Sequence, residues 1–528
     1  MLLRLLIKIT TFICFLSLNM QLNSTISFDI NSACALPHLE ASHSRCYPDL
    51  SEVLECFVKY EDHAYKYNFL PEESSNSNEL EIKTYLLNSQ QWPIEKNNEI
   101  PTTFWQHKLT LYIPHEASYK QGLLYVNGGY NYNKEGNQTF DKPKENLDYK
   151  KIALTNKAPV IVIEDVPNQF LFINGQPKRE DQILANTYRQ VMEDPMKNAY
   201  LAGHLPMTKA VVKAMDATQE ILPEIENFVL SGASKRGWAV WLTAIEDERV
   251  SAIIPIVIDA LGTQENIKHI CDSYKGTCPI SLRDYEAEGV TNLITSTSFA
   301  DLMTIEDPLS YLNSGKHKYI QRFSIPKYII NASGDDFFVP DSSQFYFQKL
   351  PGNNYIRYLP QAMHYFSGNP VSNALNNNAK INEAINSYFY FILNKTELPK
   401  VTWSFTENSI DITSSAEPKS VTLWTANNEE TRDFRFVNRH DDWHLKIKGV
   451  KAWLSKYLPI SFCDTCYEMQ EVKFVCESTN PCQISAQIPL HEKGWQASFA
   501  ELHYEIEGKE FVITTEVGIT PDTYHQTF

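Results

Sequence analysis

The sequence predicts an α/β fold with a mostly parallel central sheet, followed by a C-terminal all-β module. Three observations carry the prediction. Continuous Val/Ile/Leu runs recur after residue 100, as strands buried on both faces require. Segments of helical period separate them, so strand and helix alternate with right-handed crossovers. Near residue 399 the helical period stops, and Thr/Ser/Trp alternation with turn residues takes over.

The strands come in order. "HKLTLYIP" (107–114) alternates in period two. "GLLYVNGG" (122–129) and "APVIVIED" (158–165) are continuous apolar runs. "NFVLSG" (227–232), "AIIPIVID" (252–259), "PKYIINAS" (326–333) and "NYIRYLP" (354–360) complete the series. Helices are expected over 179–193, 207–221 and 379–393. The segment 261–325 has few strand signals and lies where a cap is often inserted. Past 399, runs such as "VKFVCES" and "HYEIEGKEFVITTEVGI" suit a small sandwich. The expected domains are therefore 36–398, with a possible cap at 261–325, and 399–528.

The first 35 residues read as an export signal with an uncertain end. Arg4 and Lys8 precede an apolar run to Leu18 that is too short and interrupted for a membrane span. No later stretch is long enough to span, so the mature chain is expected to be secreted or periplasmic. Nine of the ten cysteines follow Cys14, and in an exported chain they read as disulfides. Cys271 and Cys278 are near enough to close a small loop. Cys463, Cys466, Cys476 and Cys482 also admit a zinc reading, though with loose spacing and no histidine. Asn137, Asn331 and Asn394 begin glycosylation sequons. The formal net charge of −17 disfavours nucleic acid and anionic membranes as partners.

Chemistry centres on "SGASKRGW" (231–238). A serine attacking a carbonyl needs a base, a group to orient that base, and donors for the oxyanion. Ser234 sits at a strand-to-helix join between small residues, in the pattern G-x-S-x-x-G. Alone, that pattern also suits a structural turn. Two later stretches complete a constellation. "NASGDDFFVPDSS" offers Asp336 after a strand, with Asp335 beside it. "LPQAMHYF" puts His364 after the last sheet strand. Serine, acid, histidine is the α/β-hydrolase order. Asp335 and Asp259, the latter ending the strand after the candidate nucleophile, are the alternative acids. The oxyanion donors are expected to be the Lys235 amide and a second amide at Gly129 or Tyr130 in "NGGY". The Lys235 and Arg236 side chains are further candidates to meet an acidic substrate group or the oxyanion rather than form a solvated helix start, since positive charge is poorly placed at a helix N-terminus. Trp238 and Trp241 read as core. The constellation needs neither metal nor organic cofactor.

Several stretches resemble the PhoPQ-activated pathogenicity-related proteins, a family that takes in secreted autocrine proliferation repressors. They are "SQQWP", "LLYVNGGYN", "VPNQFLF", "REDQILANTY", "LPMTKAVVKAMD", "SGASKRGWAVWLTA", "PIVIDAL", "PKYIINASGDDFFVPDSSQFYFQKLPG", "LPQAMHYFSG" and "VTLWTANNEETRDFRF". The resemblance implies an α/β-hydrolase fold with Ser234, Asp336 and His364 as the triad. It also implies export and, in bacterial members, a tie to virulence. It supplies no substrate. The "GASKRG" turn is similar to that of glucuronoyl esterases, where a basic residue follows the serine. The cysteine-rich ends depart from the family. Two functions follow: a secreted serine hydrolase of an ester or peptide substrate, or a non-catalytic factor binding a host or cell-surface partner.

Overall fold

The computed structural model describes residues 49–139, 147–365, 377–435, 465–476 and 481–524. The expected signal segment 1–35, and with it Cys34, Cys46 and Cys463, lies outside the described residues.

All seven expected strands form within one ten-stranded sheet. Its main strands are β1 (Lys66–Phe69), β2 (Leu80–Trp92), β3 (Thr103–Pro114), β4 (Gln121–Val126), β5 (Val160–Ile163), β6 (Asn227–Ala233), β7 (Val250–Ile256), β8 (Lys327–Ala332) and β9 (Asn354–Leu359). They lie in the order β1-β2-β3-β5-β4-β6-β7-β8-β9, and a two-residue strand at Ser75–Asn76 adds to β2. The pairs from β1 to β3, and β3 with β5, are antiparallel, while every pair from β5 through β9 is parallel. The parallel strands are buried on both faces. Every residue of β5 and β8 is buried, which is why these strands read as unbroken apolar runs.

Helices cross between the strands: α1 (Tyr149–Asn156), α2 (Asp181–Glu193), α3 (His204–Ile221) and α4 (Lys235–Glu246). Between β7 and β8 the chain is helical, including α5 (Thr263–Ser273) and α6 (Thr297–Glu306), and α7 (Asn377–Asn394) follows β9. This is the α/β-hydrolase fold.

The C-terminal part is antiparallel. Its strands are β10 (Val401–Phe405), β11 (Ser409–Ser414), β12 (Ser420–Asn428), β13 (Glu468–Glu471), β14 (Cys482–Gln487), β15 (Trp495–Ile506), β16 (Lys509–Thr514) and β17 (Gly518–Thr520). They form a three-stranded sheet β10-β11-β14 and a five-stranded sheet β13-β12-β15-β16, with β17 on β15. These sheets share their core with the parallel sheet. Ile412, Leu423, Ala500 and Phe511 belong to the same buried cluster as Val229, Ile254, Tyr328 and Tyr388.

Disulfides join Cys271 to Cys278 and Cys476 to Cys482, and Cys56 and Cys466 are also disulfide-bonded. Three of the four cysteines considered for zinc are thus oxidised, which removes that reading. Asn331 is buried in β8 and is no surface glycosylation site, whereas Asn137 and Asn394 are exposed.

Candidate active site

The join between β6 and α4 is a strained turn. Ser234 holds φ 57° and ψ −129°, a conformation that side chains rarely adopt and that marks functional sites. The turn is fixed from both sides: Ser234 N–H donates to Ile256 O at 2.8 Å and Trp238 N–H donates to Ser234 O at 3.0 Å. The late glycine has a packing reason. A Cβ on Gly237 would lie 2.8 Å from both Gly232 O and Ile258 Cγ2, because α4 crosses directly over the end of β6. Trp238 and Trp241 are core, as the sequence suggested.

His364, on the loop after β9, faces this serine. Its Nε2 lies 2.8 Å from Ser234 Oγ. Its Nδ1 lies 2.9 Å and 3.1 Å from the two carboxylate oxygens of Asp335. Here the structure corrects the expected acid. Asp336 does not hold the imidazole; its neighbour does. The Asp335 carboxylate also accepts the main-chain N–H groups of Phe337 and Phe338, at 2.6 and 3.2 Å. That turn closes on Asp335 Oδ1 and fixes which of the two carboxylates reaches the histidine. The Phe337 ring lies on the imidazole at 4.4 Å.

Asp259 is not in the chain of contacts either. Tyr346 and Tyr358 donate their hydroxyls to its two oxygens at 2.6 and 2.5 Å. Burial pushes its carboxyl up to about 7 against the pull of those tyrosines.

Burial alone would lower the imidazole of His364. The charge and hydrogen bond of Asp335, aided by the charge of Asp336 and opposed by Lys235, more than offset it and raise the group overall.

The basic pair after the serine is neither solvated nor open. Lys235 Nζ lies 2.9 Å from Glu180 Oε2 and 3.4 Å from Asp181 Oδ2. Arg236 donates to Glu180 Oε1 at 2.6 Å and to Val166 O at 2.5 Å. Burial works against the Glu180 anion, but Arg236 and Lys235 together hold its carboxyl well below the usual range. Gln169 completes the knot: its Nε2 donates to Glu180 Oε1 at 2.8 Å and to Gly129 O at 2.7 Å. Sequence reading missed these partners. The signal was the acidic pair in "REDQ", whose charge complements "KR".

The "NGGY" turn lies against the same knot. A Cβ on Gly128 would meet Arg236 Nη2 at 2.7 Å, and one on Gly129 would meet Asp165 Oδ1 at 2.1 Å. Gly129 also takes φ 152°, so glycine is required twice over. Tyr130 stacks on Phe170 at 5.4 Å and accepts a hydrogen bond from Arg179 at 2.8 Å. Among the described residues no group of three or more His, Cys, Asp or Glu could hold a metal ion, and no helix is long and apolar enough to cross a membrane.

The fold, with a serine at its strand-to-helix turn and a histidine opposite, defines a hydrolase scaffold. The chain belongs to the PhoPQ-activated pathogenicity-related protein family, whose pattern matches residues 54–435. It is 30% identical over 505 residues to the autocrine proliferation repressor protein A of Dictyostelium discoideum, covering 90% of this chain and 91% of that one. Solved structures overlap it more loosely. Acetyl xylan esterase 1 of Thermoanaerobacterium sp. JW/SL YS485 has a TM-score of 0.39 at 12% identity, over 64% of this chain and 93% of that one. The S-formylglutathione hydrolase of Agrobacterium tumefaciens has a TM-score of 0.38 at 11% identity, over 62% and 100%.

Proposed function

We propose that the protein is an exported serine hydrolase that cleaves an ester or peptide bond through Ser234, His364 and Asp335. The observation that carries the reading is the continuous hydrogen-bond chain from Ser234 Oγ through both imidazole nitrogens to a buried carboxylate. As Ser234 Oγ bonds to the carbonyl carbon, His364 Nε2 takes its proton. Asp335 keeps the Nδ1–H tautomer and offsets the imidazolium charge. The oxyanion is met by the Lys235 amide, whose place at the start of α4 leaves it without an intrahelical acceptor, and by the Gly129 or Tyr130 amide. The imidazolium then protonates the leaving group, and water attacks the acyl-enzyme by the reverse route. The side chains of Lys235 and Arg236 hold the turn through Glu180 rather than touch substrate. The disulfides support export, since such bonds persist in oxidising compartments.

A panel of activated esters and blocked peptide anilides tests this. Wild type should turn over at least one class, and Ser234→Ala should lower the rate by about 10⁴–10⁶-fold. Equal rates in the two proteins would defeat the proposal.

One observation favours a second reading, a secreted signalling or binding factor: the 30%-identical relative is named for repressing proliferation. On that reading Ser234→Ala would keep full growth-repressing potency on responsive cells.

A further inference from the structure

The C-terminal β segment touches the loops that carry Asp335 and His364 at two points, and at a third it meets the Cys271–Cys278 loop packed against them. Tyr467 spans both loops. Its hydroxyl donates to Ser333 O at 3.4 Å, and its carbonyl accepts from Gln361 Nε2 at 2.8 Å. Gln361 N–H in turn donates to Ser333 Oγ at 3.0 Å, tying one loop to the other. Arg432, buried, pairs with Asp341 at 2.6 Å, where the acid loop ends, and His269 of α5 holds the other oxygen of Asp341 at 2.9 Å.

The third point is Arg435. It is 2% exposed, and a fork to Asp433 at 2.8 and 2.6 Å fixes its plane. Its guanidinium lies 4.1 Å over the ring of Tyr274, inside the small loop closed by Cys271 and Cys278. Tyr274 packs with Ile270, Val339 and Phe338, the last two just beyond the acid pair. Ser281, a few residues after the disulfide, donates to Asp336 O at 2.6 Å. Asp336 is one of the charges acting on Arg435, and Asp335 and Asp336 both act on Tyr274. A buried cation therefore backs the Tyr274 ring that packs on Phe338 and Val339, supplied by a chain segment a hundred residues further on. Asp433 takes the fork of this cation, and Asp336 feels its charge as well.

We propose that the C-terminal β segment is part of the catalytic centre, with Arg435 as the positioning residue that holds the Asp335–Asp336 turn against His364. The consequence for rate rests on the hydrolase reading; the positioning itself does not. The charges facing His364 are Asp335 and Asp336 from the acid loop and Lys235 from α4. Removing Arg435 leaves Asp433 and the acid pair less balanced, so the imidazolium gains and the His364 midpoint rises.

The test is an NMR titration of His364 in full-length wild type, Arg435→Gln and Arg435→Lys, alongside fluorophosphonate labelling rates and thermal melts. Arg435→Gln should raise the His364 midpoint by roughly 0.5–1 pH unit and slow labelling at neutral pH about 10-fold. Arg435→Lys should return the midpoint to that of wild type. A residue that only stabilises the fold would lower the melting temperature and leave the midpoint unmoved, and an unmoved midpoint overturns the proposal. Should Arg435→Gln not fold, Arg435→Lys decides. It keeps the charge and loses the fork, so labelling should slow by about threefold or more, and a wild-type rate overturns the proposal. A wild type that takes no label defeats the hydrolase reading, while the titration still decides the positioning role.

Discussion

At the scale of residues, the site is a contest between neighbours that differ by one position. Asp335 and Asp336 are chemically identical, and the choice falls to the turn that closes over Asp335 Oδ1 with the amides of Phe337 and Phe338. Asp335→Asn should therefore slow labelling of Ser234 by roughly 10⁴-fold, since the amide no longer favours the reactive tautomer. Asp259→Asn should retain labelling, because Asp259 is spent on two tyrosines. The pH dependence follows from His364. Its pKa is raised, so the neutral base that labelling requires is lost as pH falls through a value above the ordinary histidine one. The acid limb of a labelling-rate profile should lie there, and a limb below the ordinary histidine range would contradict the account. That Ser234 and His364 come together was legible in the sequence because each stands just past the C-terminal end of a parallel strand, so both fall at one edge of the sheet. The acid was legible only to within one residue, because spacing does not encode which carboxylate a turn sequesters.

At the scale of elements, α4 begins with two cations at the end of the helix that favours anions. The structure removes the conflict by setting Glu180 and Asp181, at the start of α2, against them. Glu180→Gln would leave a buried pair of cations short of one anion and should cost about 3 kcal/mol in urea denaturation. Gly237→Ala should also destabilise, by about 1–3 kcal/mol, because its Cβ would collide with Gly232 O and Ile258. In β8, Lys327 is buried and donates to the carbonyls of Phe323, Ile325 and Pro351, and burial pulls it down to about 7. Below that pH it is charged both folded and unfolded, and the burial cost is present in full. Above it the folded chain sheds the proton first, so the cost is relieved towards the ordinary lysine range. Unfolding free energy should rise by about 2 kcal/mol between about pH 7 and pH 9, and Lys327→Met should abolish that slope. The parallel strands were legible because burial on both faces leaves unbroken apolar runs. The long antiparallel β2, "LEIKTYLLNSQQW", was not, because it buries polar groups that find partners only in the fold. Gln90, for instance, donates to Pro206 O at 2.6 Å.

At the scale of the whole molecule, the change of character near residue 399 was legible, but its packing was not. Alternating strands announce a second pair of sheets, yet they do not say what those sheets cover. Here they close over α7 and the β8–β9 edge, with Phe511 set between Tyr355 and Tyr388. A core shared in this way should melt as one unit, so calorimetry of the full chain should give a single cooperative transition rather than two. The central claim remains that Ser234 is activated by His364 and Asp335. The most direct measurement is fluorophosphonate labelling of the purified protein, with the adduct mapped by mass spectrometry, in wild type, His364→Ala, Asp335→Asn and Asp336→Asn. The account predicts an adduct on Ser234 in wild type and Asp336→Asn, and its near-complete loss in the other two. Folded wild type without an adduct, or labelling that survives in Asp335→Asn and fails in Asp336→Asn, would contradict it.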